Sequence, residues 1–141
     1  EIVWRDPTAP RFVGDMPHTW VGSDFVNSVR SMFVYELDRE DTLVLAAGIL
    51  PEWVETPPGM SIENFPTEYG RLSYTLSADG DRTVFDLRGE LAPAPKKIVL
   101  RSPRLRPIRA VSVNGRPHTA FSDYEVTLTQ LPAKVVIEHA R

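Results

Sequence analysis

Carboxylates, arginines and aromatic rings are the side chains through which this sequence could do chemistry. Glu52, Glu55, Glu63 and Glu68 gather in turn-rich stretches beside Trp53 and Tyr69. Two of them facing each other across about 5–9 Å would supply the acid and base of glycoside hydrolysis. Singly, each is a solvated loop residue. The run "RSPRLRPIR" places Arg101, Arg104, Arg106 and Arg109 within nine residues, enough positive charge to draw an acidic sugar or a phosphate. The competing roles are a solvated strand edge and neutralisation of acids on a neighbouring domain. Alternation with Leu105 and Ile108 suits an edge that resists further pairing. Flat rings at Trp4, Trp20, Trp53, Tyr69 and Tyr124 could stack on a pyranose, Trp53 and Tyr69 being the pair singled out for that role. For Trp20 and Trp53 core or interface packing is favoured, because Trp is highly buried on average.

Other chemistries find less support. The chain has no Cys, which rules out disulfides and thiolate metal sites and leaves cytoplasmic, periplasmic and secreted locations all compatible. It has no G-x-S-x-G, and His18, His118 and His139 are far apart, none near a Ser and Asp pair, so a nucleophilic triad is not expected. Only Asp15 and His18 lie close enough to begin a metal site, and "ADGD" at 78–81 lacks the ligand series of a calcium loop. No metal and no cofactor is expected. A net charge of −3 provides no global field for nucleic acid or an anionic membrane. The longest apolar run, Leu43 to Leu50, is less than half a membrane-spanning helix.

These side chains need elements to position them. At 141 residues, 42% hydrophobic and 25% charged, the chain suits one globular domain with a real core. Residues 1–21 are irregular, rich in proline and hold Trp4 and Trp20. From Ser23 the apolar spacing becomes helical through Phe25, Val29, Met32, Phe33 and Leu37. That predicts a helix over about 24–36, with Ser23 as N-cap and Asp24 beside the positive end of the dipole. Its apolar face is expected to pack on the remainder. Beyond "LDREDT" the period falls to two, predicting strands near 42–50, 60–65, 69–77, 82–88, 97–102, 108–113, 124–128 and 134–139. The expected fold is mainly β: an antiparallel two-sheet sandwich of about eight strands preceded by one helix.

Turn chemistry predicts pairings within that sandwich. A two-residue turn at Asp79-Gly80 would set Leu72 opposite Leu87, Tyr74 opposite Phe85 and Leu76 opposite Thr83, all on one face. "VNGRP" at 113–117 would pair Val111 and Val113 with the residues around His118. "YEVTLTQL" and "AKVVIEH" are expected to form a third antiparallel pair.

The segments "GDMPHTWVGSDFVNSVRSMFVYE", "DTLVLAAGILPEW", "SIENFPTEYGRLSYTL" and "IRAVSVNGRPH" together resemble the C-terminal part of bacterial (α/α)6-barrel glycoside hydrolases. Rhamnosidase-like and fucosidase-like families share this order, as do large proteins carrying a coagulation factor 5/8 type (discoidin-like) domain. In them a Pro-His-Trp-like segment introduces the last barrel helix, and a strand ending near Pro and Trp opens a β-sandwich. The resemblance implies that 1–37 is the tail of a helical barrel and 38–141 an accessory sandwich. It also implies that Asp15, His18 and Trp20 would border the substrate cleft of the full enzyme. The start "EIVWRDPTAP" without an initiator Met fits a piece cut from such a polypeptide. The function expected is a non-catalytic C-terminal domain that packs on and completes the catalytic barrel, its intramolecular partner. The alternatives are an independent carbohydrate-binding module using exposed aromatics and a self-sufficient small hydrolase.

Overall fold

The computed structural model describes Thr8 and residues 18–140 of the chain. Asp15 and Trp4 lie outside the described residues. Two compact units divide the chain, the first ending at Arg30 and the second running from Ser31.

Helix α1 spans Thr19–Phe33, earlier in the chain than its apolar period suggested. It starts at His18, whose carbonyl accepts from Gly22 N at 3.0 Å and whose Nδ1 accepts from Val21 N at 3.1 Å. The imidazole thus serves an otherwise orphaned donor of the first turn. Ser23, expected as the cap, sits inside the helix with its Oγ 3.0 Å from both the Thr19 and Trp20 carbonyls, the back-bonding habit of an interior serine. Met32 and Phe33 are half-buried and Phe33 packs against the core, whereas Phe25 and Val29 are 69% and 39% exposed.

The second unit carries two sheets. One holds β1 (Val34–Leu37), β2 (Thr42–Leu45), β6 (Lys97–Arg101) and β9 (Glu125–Leu128), in the order β1-β2-β6-β9. The other orders β3 (Met60–Thr67), β4 (Gly70–Asp79), β5 (Arg82–Leu91), β10 (Ala133–His139), β7 (Ile108–Val113) and β8 (Arg116–His118). The chain is therefore mainly β with one N-terminal helix, with ten strands among the described residues rather than eight. The additions are β1, which claims the end of the expected helix, and the short β8.

Several pairings differ from expectation. The β4–β5 turn is centred on Gly80 and Asp81 rather than Asp79 and Gly80, since Asp79 pairs with Arg82. Leu72, Tyr74 and Leu76 now meet Gly89, Leu87 and Phe85. The two-residue shift preserves the inward face because the side-chain period is two. Gly80, first of the two turn residues, takes the positive φ of 58° that a type II′ turn needs there. The Asn114-Gly115 hairpin forms as expected, with Val111 opposite His118 and Val113 opposite Arg116, and with φ of 50° and 77° at its two central residues.

The third expected pair does not form. Strand β9 pairs with β6 in one sheet, while β10 sits between β5 and β7 in the other. Residues 129–132 cross between the sheets instead of closing a hairpin. Both strands bury alternate residues, and alternation states which face is inward without stating which sheet. Nor is the sandwich wholly antiparallel, since β2 runs parallel to β6. All four residues of β2 are buried, as befits a strand covered on both faces. The apolar run 43–50 yields only this short strand. Ala46 turns the chain at φ 62°, and Ala46 N and Gly48 N donate to the Phe33 and Met32 carbonyls at 2.9 and 3.0 Å. A short helix, α2 (Pro51–Glu55), follows.

One core joins the sheets, with Tyr74, Phe85, Leu87, Val135 and Ile137 from the larger and Val34, Leu43, Leu45, Ile98, Leu100 and Val126 from the smaller. Tyr74 is 1% exposed, yet its hydroxyl donates to the Phe33 carbonyl at 3.1 Å. The larger sheet is thereby fastened to the segment that leads into β1.

Candidate functional site

Of the residues singled out from sequence, His18 and Trp20 stand together at the start of α1. His18 is a helix cap, as described, and Trp20 stacks beside it with ring centroids 6.3 Å apart and planes 26° apart. Trp20 is 73% exposed. Trp53 on α2 lies against Phe33 at 6.2 Å and 19° and is 38% exposed. Tyr69 is 9% exposed and belongs to the core, so its ring offers no open face to share with Trp53. Desolvation and then the negative charge of Asp41, Glu68, Asp38 and Glu36 hold the Tyr69 phenol above its ordinary pKa of 10.0. The nominated glutamates are also dispersed. Glu55 on α2 faces Arg104, Glu63 is exposed on β3, and the backbone of Glu68 donates to Glu36 Oε1 at 3.3 Å.

The basic run has partners inside the chain. Arg101 meets Glu125 across β6 and β9 at 2.9 Å. Arg109 meets Glu138 across β7 and β10 at 2.8 Å. Arg106 lies 3.7 Å from Asp81. Arg104, with a side chain only 10% exposed, donates through one terminal nitrogen to the Gly80 carbonyl at 2.7 Å. Its Nε stands 3.4 Å from Glu55 Oε1 but makes no hydrogen bond. The acids these arginines meet belong to their own unit.

The Arg109–Glu138 pair lies in a polar cleft of about 370 Å³, lined by Asp79, Asp81, Arg82, Arg109, Glu138 and His139. Three segments distant in sequence meet there: the β4–β5 turn, the start of β7 and the end of β10. The loop between β6 and β7 locks them together. Besides the bonds of Arg104 and Arg106, Ala140 N donates to the Pro107 carbonyl at 2.9 Å and His139 N to the Asp81 carbonyl at 3.2 Å. Glu138 is held from both sides, by Arg109 at 2.8 Å on Oε2 and by Arg82 at 3.6 Å on Oε1.

Comparison with family models, curated proteins and solved structures returns no match.

Within the cleft wall His139 is 2% exposed. Its Nδ1 lies 3.1 Å from the Arg106 carbonyl and its Nε2 2.9 Å from Thr83 Oγ1. A carbonyl only accepts, so in the neutral ring Nδ1 carries the proton and Nε2 accepts from the Thr83 hydroxyl. Burial lowers the pKa of His139 below its ordinary 6.5. The hydrogen bond to Arg106 opposes that shift, the charges of Arg104 and Arg106 add to it, and Asp81 works against it. A depressed folded-state pKa means that the unfolded chain takes up the proton first as pH falls. Folding stability contributed by His139 is therefore complete above about pH 6.5 and declines as pH drops from there toward the folded-state pKa. His139→Gln should flatten that decline in urea denaturation series at stepped pH. An unchanged slope in the variant would assign the pH dependence to other groups.

Sequence reasoning did not assemble this cleft. In sequence "ADGD" reads as a turn, the arginines as a solvated edge, as partners of nearby acids or as ligands for an acidic group, and His139 as an isolated histidine. Each description is locally accurate, but the convergence depends on β10 lying beside both β5 and β7. A signal was present in hindsight: an acidic turn, a basic loop and a Glu-His strand end are complementary in charge. Among the described residues no group of three or more His, Cys, Asp or Glu side chains could hold a metal ion, and no helix is long and apolar enough to cross a membrane.

Proposed function

We propose that this chain is a non-catalytic accessory β-sandwich of a carbohydrate-active enzyme, which packs on and completes a helical (α/α)-barrel glycoside hydrolase domain. The observation that carries this reading is the surface of α1. None of its residues is buried, and Trp20, Phe25, Val26, Val21 and Val29 are 73%, 69%, 61%, 48% and 39% exposed. Contiguous apolar surface of that kind marks a face built for contact, and each large side chain buried there would contribute about 1.5–3 kcal/mol. The motif "PHTW" that leads into this helix carries the resemblance to the last barrel helix of such enzymes.

The test uses the helical domain encoded in the same reading frame, expressed apart from this chain and mixed with it. The two are expected to co-purify, with slowed amide exchange in α1. Phe25→Asp should weaken the association at least about 30-fold, the effect of losing a central interface residue. Without its partner the chain should bind a hydrophobic dye, and the same substitution should reduce that signal. A reading frame with no helical domain, or two parts that do not associate, would defeat the proposal.

A further inference from the structure

We infer that the cleft between the β4–β5 turn and the end of β10 is a binding site for the hydroxyl groups of a neutral saccharide. Its dimensions suit one: about 370 Å³ is toward the small end of the range for small-molecule sites, about 300–1,000 Å³. Its chemistry is the stronger indication. The lining sets three carboxylates, Asp79, Asp81 and Glu138, against two guanidiniums, Arg82 and Arg109. An anion would compete with Glu138 for both arginines, which already hold its two oxygens. An organic cation would meet those same guanidiniums. A sugar hydroxyl both donates and accepts, so adjacent hydroxyls can donate to a carboxylate and accept from a guanidinium at once.

Asp79 is the residue with capacity to spare. Its carboxylate holds no hydrogen bond or ion pair among the described residues, whereas Asp81 and Glu138 are engaged. The geometry is preorganised, which lowers the cost of binding. Arg104 fixes the turn through the Gly80 carbonyl, and the buried His139 ring ties the end of β10 to Thr83 and to the loop at Arg106. This site uses carboxylates and guanidiniums rather than exposed aromatics, and it does not depend on any helical partner domain.

The experiment is an amide-resonance titration of the full chain with glucose, galactose and mannose, with glucuronate and glucosamine as anionic and cationic counterparts. A neutral hexose is expected to give saturable shifts confined to residues 79–82, 108–109 and 138–140. Asp79→Ala should raise the apparent Kd about tenfold, the loss of one hydrogen bond to a charged group. Arg109→Gln, read in the same way, should also weaken binding, and Asp38→Ala, outside the cleft, should not. Preserved dispersion of the remaining resonances shows that each variant is folded. No saturable shift up to about 50 mM, where even a Kd ten times weaker than the 1 mM benchmark would register, overturns the inference. So does an unchanged Kd in both cleft variants. Stronger shifts at these residues with glucuronate or glucosamine than with every neutral hexose would show recognition of charge and overturn it equally. Because the readout uses this chain alone, its failure leaves the accessory-domain reading standing, and failed association with a helical domain leaves this site standing.

Discussion

Phe85→Ala is expected to lower the unfolding free energy by about 3–5 kcal/mol. Phe85 is fully buried in β5, the strand between β4 and β10. It stands opposite Leu76 on one side and Val135 on the other, with its ring 6.3 Å from that of Tyr74. Removing the ring deletes contacts to both neighbouring strands and to the facing sheet. The hole cannot close readily, because its walls are strands held in register by their own ladders. In urea the midpoint should fall with the m-value unchanged, and the thermal midpoint should drop by on the order of 10–20 °C. Domains of this kind have only about 5–15 kcal/mol in total, so much of the margin would be gone. A loss below about 1 kcal/mol would show a core that refills the space, contrary to close packing.

Gly59→Ala is the second large effect, and its cause is backbone rather than core. Gly59 has φ 91°, in the region that favours glycine, and a Cβ there would overlap the Leu76 carbonyl oxygen and crowd Ser77. The next residue, Met60, is the first of β3 and pairs with Leu76. Relief of the clash therefore requires the start of β3 to move off β4. Strain at such a φ costs about 1–3 kcal/mol, and the disturbed strand pairing should bring the total to roughly 2–4 kcal/mol, within the range seen when Ala replaces Gly at an incompatible site. Gly115→Ala is the matched comparison. Its φ of 77° is also positive, but nothing lies within 4 Å of the added carbon. It should lose only the dihedral part, about 1 kcal/mol. Equal losses in the two variants would mean that the clash at Gly59 is absorbed without moving the strand.

Local signals account for much of the fold. Asn114-Gly115 announced its hairpin because few residue pairs accept positive φ at two successive positions. Alternation in β4 and β5 survived a one-residue error in the turn, because the register then shifts by two and an even shift leaves every side chain on its own face. Periodicity misled where two patterns overlapped. Phe33, Val34 and Leu37 extend the helical spacing of α1, yet Val34–Leu37 is paired with β2, and that ladder overrides a short helical extension. Ser23 illustrates the same limit. A serine before an apolar run reads as a cap, but His18 was five residues upstream and provided the acceptor.

The candidate sites separate along the same line. For the helix face, sequence listed the apolar residues, and only the structure showed Phe33 packed against the core. For Tyr69 the ring was visible in the sequence and its burial was not. The cleft left only a complementarity of charge in the sequence, since Asp79, Arg109 and Glu138 come from strands that no local rule makes neighbours.

Sequence by itself determined the class of this protein: a mainly β chain with one leading helix, an inward face for most strands, and the tight turn at Asn114-Gly115. Those properties follow from side-chain period and from backbone freedom at glycine and asparagine, which act over a few residues. Tertiary structure decided that β9 and β10 belong to different sheets, that β2 runs beside β6 in parallel, and that β10 brings Glu138 and His139 to the Asp79–Arg82 turn. Such placements depend on which buried faces meet across long intervals of chain. Alternation fixes an inward side for each strand but names no partner, so the charged cleft exists only once every strand has found its neighbour.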